Sequence, residues 1–152
     1  MIRAFVDSNV LLDFLQERAD FFESARKLLI FKCFGDYELW TSASQATDLF
    51  YILSWGGKKC LLPKAKESLV ALRKHVHVFG PSEREVDRAL QSNFDDFEDA
   101  LVYQSAMSID ADVIVTRDAE GYQLSALPVV TPEGFFDWMA NATGIIFDEM
   151  TY

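Results

Sequence analysis

Cysteine is scarce in this sequence, with two residues among 152. Cys33 and Cys60 stand far apart and form no C-x-x-C pair, which excludes the usual zinc-ligand spacings and a disulfide framework. No apolar run approaches the ~18 residues that a membrane-spanning helix needs, and the first ten residues lack the pattern of a secretion signal. We therefore expect a folded protein of the reducing cytoplasm.

Basic charge is also in short supply, since 14 Lys and Arg residues face 24 Asp and Glu residues for a net charge of −10. Such a balance argues against a polyanionic partner, because phosphates are repelled by an acidic surface. Basic residues are nevertheless concentrated between Trp55 and His77, where Glu67 is the only acid. This segment either faces a polyanion or forms a solvated helix face with a flexible loop at Gly56 and Gly57.

The sequence is rich in apolar residues, which make up 50% of the chain and include thirteen Phe. Short apolar runs suited to strands alternate with segments of helical periodicity. The predicted strands cover residues 2–6, 37–41, 75–80, 113–116 and 127–130. This alternation predicts an α/β fold of three layers, α/β/α, with a central, mostly parallel sheet of roughly five strands. Residues 1–142 are predicted to form one domain, and residues 143–152 a tail that serves as an edge strand or an interface arm.

Several helix starts are marked by polar residues that satisfy free backbone N–H groups. Capping boxes are predicted for the pairs Asp20 and Glu23, Ser42 and Gln45, and Ser82 and Glu85. Thr131 and Pro132 are predicted to start the last helix.

Carboxylates lie at or near the ends of the predicted strands. Asp7 and Asp118 each follow a strand, Asp48 lies in the helix after the second strand, and Asp99 lies in the acidic segment FDDFEDAL at residues 94–101. The carboxyl ends of parallel strands meet at one edge of the sheet, so these acids are expected to converge. Crowded carboxylates need a counter-cation, and ligands that are all oxygen select hard ions such as Mg²⁺ or Mn²⁺.

Each acid also has a structural interpretation. Asp7 is placed to cap the helix that follows it. Asp96 is placed to cap the helix that begins in the acidic segment, with Asp99 as its capping-box partner. Asp118 is placed to form a turn after its strand. Asp48 reads as a solvated acid in an early helical turn. His75 and His77 form an H-x-H pattern that is typical either of an exposed strand or of a ligand pair lacking its third member.

Four stretches together resemble the PIN domain, a family of Mg²⁺- or Mn²⁺-dependent ribonucleases that includes the VapC-type toxins of bacterial toxin–antitoxin pairs. They are FVDSNVLLDFL at 5–15, the acid in the helix at 47–50, DFEDAL at 96–101 and VIVTRDAEGY at 113–122. The resemblance implies a metal-binding, catalytic quartet of Asp7, Asp48, Asp99 and Asp118, with Asp96 as a further candidate and with Asn9 and Thr116 as supports. The second acid of the family is usually Glu, and Asp48 is one methylene shorter.

The resemblance further implies hydrolysis of RNA phosphodiester bonds, with products that carry a 5′-phosphate and a 3′-hydroxyl. It implies a homodimer and an antitoxin protein as partner. Lys58, Lys59 and Lys64 are candidates for guiding the RNA backbone, because they begin the basic segment.

Two other functions remain open from sequence. A phosphatase-like fold with Asp7 as nucleophile is the first alternative, but it would show D-x-D at the first strand, and Asn9 stands where the second acid should be. A non-catalytic or weakly active protein of the same fold, binding nucleic acid or protein, is the second alternative, and the shorter Asp48 and the acidic composition are compatible with it.

Overall fold

Five strands form one parallel sheet in the structure, a computed structural model that describes residues 1–147. The strands are β1 (Ile2–Val6), β2 (Tyr37–Ser42), β3 (Val76–Phe79), β4 (Val113–Val115) and β5 (Val129–Val130). They lie in the order β3-β2-β1-β4-β5, and every neighbouring pair is parallel. The predicted fold class is confirmed.

Seven helices connect and cover the strands in the described part of the chain. They are α1 (Ser8–Leu15), α2 (Phe22–Phe31), α3 (Ala43–Leu53), α4 (Leu62–Leu72), α5 (Glu83–Gln91), α6 (Phe97–Ser108) and α7 (Phe135–Thr143). Single-turn 3₁₀ helices lie at Lys32–Phe34, Lys59–Leu61 and Ala119–Tyr122. None of the helices in residues 1–147 has both the length and the hydropathy that a membrane crossing requires.

The sheet is buried on both faces because successive side chains of a strand point in opposite directions. In β1, Ala4 and Val6 belong to the larger apolar cluster, formed with α1, α2 and α7. Phe5 points to the other face, where it packs in a cluster with Val102 and Ala106 of α6. Helix α6, which carries Asp99, is therefore fixed against the centre of the sheet.

The strand order changes direction at β1, which positions the functional edge of the sheet. From β1 the chain runs to β2 and β3 on one side, and β4 and β5 then add on the other side. At such a switch point the connections that leave the two neighbouring strands diverge, which leaves a crevice at the carboxyl ends of β1 and β4. Val6 pairs with Val115, so β1 and β4 end side by side.

Two of the three predicted capping boxes are present. Ser42 and Gln45 form one at the start of α3, and Ser82 and Glu85 form another at the start of α5. The predicted box of Asp20 and Glu23 is wrong. Helix α2 begins at Phe22 without a side-chain cap, because the carbonyl of Arg18 accepts from the backbone N–H groups of Phe21 and Phe22 in the preceding turn.

The last helix begins later than predicted. Thr131 Oγ1 accepts from the backbone N–H of Gly134 at 3.1 Å, which closes a separate turn before α7 begins at Phe135. The predicted tail, 143–152, lies partly outside the described residues. Residues 144–147 form no strand, and Phe147 packs on Phe136 with ring centroids 5.2 Å apart. The proposed interface arm stays a prediction, and residues 148–152 lie outside the described range.

Candidate active site

Asp7 lies at the centre of the crevice between β1 and β4. Its side chain is 7% exposed and its Oδ1 accepts from the backbone N–H of Ser8 at 2.7 Å, so the carboxylate caps α1. Its Oδ2 accepts from Thr116 Oγ1 at 2.9 Å, from Tyr122 OH at 3.1 Å and from Asn9 Nδ2 at 3.4 Å. A buried carboxylate is tolerated here because several donors replace its hydration.

The predicted supports Asn9 and Thr116 connect α1 to the loop after β4. Asn9 Nδ2 donates to Thr116 Oγ1 at 3.1 Å, and Asn9 Oδ1 accepts from the backbone N–H of Arg117 at 3.3 Å. Thr116 Oγ1 also accepts from the backbone N–H of Asp118 at 3.0 Å. These bonds fix the orientation of Asp7 and hold the backbone at Asp118, and the supporting role of Asn9 and Thr116 in metal binding stays a prediction.

Gln45, which completes the predicted capping box of α3, is also a neighbour of Asp7. Its Oε1 accepts from Thr41 Oγ1 at 2.9 Å, which fixes the amide so that its Nε2 points toward β1. This Nε2 lies 3.4 Å from Asp7 Oδ1 and 3.3 Å from the carbonyl of Val6. The same residue therefore starts α3 and holds the end of β1.

Tyr122 is a second neighbour that the sequence analysis did not single out. It is 2% exposed, and burial followed by the charge of Asp7 raises its pKa far above the usual range for tyrosine. The hydroxyl therefore stays protonated and donates to Asp7 Oδ2. Its only signal in the sequence was its place in the VIVTRDAEGY stretch.

Asp99 lies in the first turn of α6, where Asp96 Oδ1 accepts from its backbone N–H at 3.1 Å. Asp96 is thus the N-cap of α6, as its structural interpretation predicted. Burial, and then the charges of Asp7, Asp96, Asp118 and Glu98, raise the pKa of Asp99 from 3.8 to about 6. Asp99 is therefore within electrostatic reach of two other members of the predicted quartet.

Asp48 lies in α3 and is half-buried. Burial raises the pKa of Glu98, and the charges of Asp48, Asp7 and Asp96 raise it further. Glu98 was not predicted as a site residue, although it is the third letter of the DFED motif. Glu98 is within electrostatic reach of both Asp48 and Asp7, and Asp118 is exposed in the loop after β4.

The donor chemistry of the crevice fits a hard divalent cation, because every candidate ligand is a carboxylate oxygen. The spacing does not form a closed site. Within residues 1–147 no three His, Cys, Asp or Glu side chains are grouped closely enough to hold a metal ion. An ion bound by these carboxylates would have to draw them inward against their mutual repulsion.

The loop after β4 is anchored to α1 and α2 by a charged cluster. Asp13 is fully buried, and both of its oxygens accept from Arg117, with 3.1 Å between Oδ1 and Nη2. Arg18 Nη1 lies 3.4 Å from the same Oδ1. The Arg117 guanidinium also lies 4.0 Å above the centre of the Phe21 ring. Arg117 is thereby fixed between the two residues, Thr116 and Asp118, that shape the crevice.

The predicted nucleic-acid-guiding residues lie after α3 and at the start of α4. Lys58, Lys59 and Lys64 are all exposed. Lys58 Nζ lies 5.3 Å from the centre of the Trp55 ring, and Trp55 is 70% exposed. This segment therefore presents an aromatic side chain together with three lysines.

The two histidines fit the exposed-strand interpretation. His75 and His77 are both exposed, and His77 stacks on Trp40 with ring centroids 4.8 Å apart. In the part of the chain that the structure describes, they belong to no group of three metal-ligating side chains.

Comparison with known proteins identifies the family. A family model for the PIN domain matches residues 3–120, a range that contains every acid of the predicted quartet. Ribonuclease VapC1 of Aquifex aeolicus (strain VF5) is 30% identical over 138 residues, which cover 88% of this chain and 92% of the relative.

Solved structures support the fold. A chain of the DNA-bound VapBC from Salmonella typhimurium matches with a TM-score of 0.66 at 11% identity, over 87% of this chain and 99% of that chain. A chain of a toxin–antitoxin complex from Klebsiella pneumoniae matches with a TM-score of 0.62 at 20% identity, over 85% and 97% of the two chains. Because the family model and the curated relative each span most of the sequence, the chain belongs to the PIN domain family.

Proposed function

We propose that this protein is a ribonuclease that requires Mg²⁺ or Mn²⁺ and hydrolyses RNA phosphodiester bonds at the carboxyl ends of β1 and β4. The observation that carries the proposal is the gathering of carboxylates at this edge of the sheet: Asp7 is buried and held by Thr116 and Tyr122, and burial together with the charge of Asp7 raises the pKa of Asp99 in α6. Negative charge gathered in this way at a switch point of the sheet is typical of a site built for a cation. The similarity to a protein named ribonuclease VapC1 supports the same function.

Asp7, Asp48, Asp99 and Asp118 are the proposed ligands, and Asp96 contributes by capping α6. When bound, the divalent ion would activate a water molecule and stabilise negative charge on the leaving oxygen. Asp7 is held ready for this role by Thr116, Tyr122 and Asn9, because their donors fix the plane of its carboxylate. We assign Asn9 and Thr116 a supporting role and place neither against the substrate.

The second candidate function is a binding protein with the same fold and without catalysis. It is favoured by the open arrangement of the acids, none of which forms a closed metal site with two others within residues 1–147. The side chain of Asp48, which is shorter than the usual Glu, also favours this second function. Affinity for Mn²⁺ distinguishes the two functions, because only the nuclease needs a bound metal ion.

The proposed activity is tested by incubating the purified protein with a mixed-sequence single-stranded RNA in Mn²⁺ or in EDTA. We expect cleavage in Mn²⁺ only, with products that carry 5′-phosphate and 3′-hydroxyl ends by mass spectrometry. Asp7→Asn should lower the rate by about a hundredfold or more, since it removes a ligand charge. Asparagine keeps the oxygen that caps α1, but its amide N–H groups would face the donors of Thr116, Tyr122 and Asn9, so circular dichroism must first show that the variant is folded.

Asp87→Asn provides the matched control, because Asp87 is an exposed acid on α5. The control should cleave at the wild-type rate. Cyclic phosphate ends, or cleavage that persists in EDTA, would contradict a metal-dependent hydrolysis. A folded wild type that neither binds Mn²⁺ nor cleaves RNA would leave the binding protein as the better description.

We further propose that Lys58, Lys59 and Lys64 hold the phosphate backbone of the RNA, with Trp55 available to stack on a base. Replacing Lys58 and Lys59 together by alanine should weaken RNA binding and lower the salt dependence of log K by about 1.4, because about 0.7 is lost for each phosphate contact to a single strand. Fluorescence anisotropy at several salt concentrations measures both quantities. An unchanged slope would exclude these two lysines from the RNA contact.

We also propose two protein partners and a cellular location. An antitoxin protein is proposed as partner, because one structural neighbour is a chain of a toxin–antitoxin complex. A homodimer is also proposed, and light scattering after size-exclusion chromatography would contradict it by giving a mass near the 17.3 kDa of one chain. A cytoplasmic location is compatible with two exposed, free thiols at Cys33 and Cys60.

A further inference from the structure

The 3₁₀ turn Ala119–Tyr122 lies against two candidate ligands that come from different elements. Tyr122 OH donates to Asp7 Oδ2 at 3.1 Å, and Asp7 follows β1. The residue before it, Gly121, lies against the carboxylate of Asp99, which belongs to α6. Adjacent residues of one short turn therefore contact carboxylates from the two sides of the crevice.

Gly121 makes room for Asp99 by having no side chain. A Cβ atom built at Gly121 would lie 2.3 Å from Asp99 Oδ2 and 2.9 Å from its Cγ, distances that two non-bonded atoms cannot adopt. The backbone at Gly121 is not in the left-handed region, in contrast to Gly35, Gly56, Gly57 and Gly144. Glycine at this position therefore matters for the space it leaves to the Asp99 carboxylate and not for its conformational freedom.

The turn has little freedom to retreat from Asp99. Tyr122 is 2% exposed and packs in the apolar cluster that contains Phe5 and Ile114. Its hydroxyl is tied to Asp7, which is itself buried and held by Thr116. A side chain added at position 121 would consequently displace the carboxylate of Asp99, which ends a flexible side chain, and leave the backbone of the turn in place.

We propose that Gly121 is a positioning residue, which sets the place of the Asp99 carboxylate relative to Asp7 so that both can bind one divalent cation. This inference rests on the proposed function. It predicts that an added methyl group at position 121 weakens metal binding without lowering the stability of the fold, because the group moves the Asp99 carboxylate and leaves the core intact. At a backbone conformation open to alanine, replacing glycine also reduces the freedom of the unfolded chain, which favours folding.

The test compares Gly121→Ala with Gly80→Ala in the full chain. Gly80 is the matched control, because a Cβ there meets no atom within 4 Å and its backbone is not left-handed. Titration calorimetry with Mn²⁺ should give an affinity about 10- to 100-fold weaker for Gly121→Ala, the usual loss when a ligand is misplaced. Its melting temperature in EDTA should equal or exceed that of the wild type. Gly80→Ala should bind Mn²⁺ as the wild type does.

Three results would overturn the inference, and they are distinguishable from one another. Equal Mn²⁺ affinity in the wild type and Gly121→Ala would reject the positioning role and leave the proposed nuclease intact. A large fall in the melting temperature of Gly121→Ala in EDTA would assign Gly121 a structural role, since the turn and not Asp99 would then have yielded. A folded wild type that binds no Mn²⁺ and cleaves no RNA would reject the proposed function together with this inference.

Discussion

Replacing Asp99 by asparagine is expected to abolish Mn²⁺ binding and, at pH 7.5 in EDTA, to raise the melting temperature. Folding raises the pKa of Asp99 from 3.8 to about 6, through burial first and then the neighbouring carboxylates. The folded protein therefore holds a proton at Asp99 more tightly than the unfolded chain does. The stability of the folded protein therefore falls as the pH rises from 3.8 to about 6. At higher pH the whole of this loss of stability persists.

Asparagine removes this cost because it carries no charge. Asp99 is half-exposed, so solvent screening reduces the gain, which we place at about 1 kcal/mol at pH 7.5 or about 2 to 4 °C in melting temperature. At pH 4 and below the gain should shrink toward zero, because the wild-type carboxyl then becomes protonated. Thermal unfolding of both proteins in EDTA at pH 7.5 and pH 4 measures the difference.

Asp95→Asn is the matched control for this experiment, since Asp95 is an exposed acid of the same segment. It should change neither the melting temperature nor Mn²⁺ binding. If Asp99→Asn melted below the wild type at pH 7.5 in EDTA, the crowding of carboxylates in the crevice would not be a cost to folding, which would contradict a crevice built to bind a cation.

Replacing Arg117 by methionine is expected to destabilise the protein by about 2 to 3 kcal/mol, or about 5 to 10 °C in melting temperature. The change leaves the fully buried Asp13 with Arg18 as its remaining partner, at 3.4 Å. It also removes the guanidinium from above the Phe21 ring. This destabilisation is at or below the lower end of the range for broken buried ion pairs, because Arg18 remains and the Arg117 side chain is 27% exposed.

The same change should weaken Mn²⁺ binding, because Arg117 lies between Thr116 and Asp118. Arg117→Lys should retain little of the stability that Arg117 provides, since lysine cannot donate to both oxygens of Asp13 in the fork geometry of arginine. Arg88→Met on the exposed side of α5 controls for the loss of one positive charge. A melting temperature within 2 °C of the wild type would contradict the anchoring role.

Combining Arg117→Met with Asp13→Asn distinguishes a specific pair from general loss of packing. If the two residues stabilise the fold through each other, the double variant should be destabilised by less than the sum of the single variants. Additive losses would mean that Arg117 acts through its contact with Phe21 and not through Asp13.

Local features of the sequence were sufficient for the fold class and for most helix starts. Strand and helix periodicity depend on neighbouring residues, so the alternation of elements predicted the parallel sheet correctly. The boxes at Ser42 and Ser82 were also predicted correctly, because a side chain and a backbone N–H three residues apart are enough to form them. At Asp20 the same local rule failed, because the carbonyl of Arg18 takes up the N–H groups at the helix start.

By itself, the sequence determined which acids follow strands, and the parallel sheet then brings such residues to one edge. It did not determine how they are held. Tyr122 lies 115 residues from Asp7 and Gln45 lies 38 residues from it, and nothing in either local pattern specifies these bonds. Only the packing of β1 against β4 and of α3 and α6 against the sheet decides them, since a contact between distant segments depends on where the whole core positions their backbones.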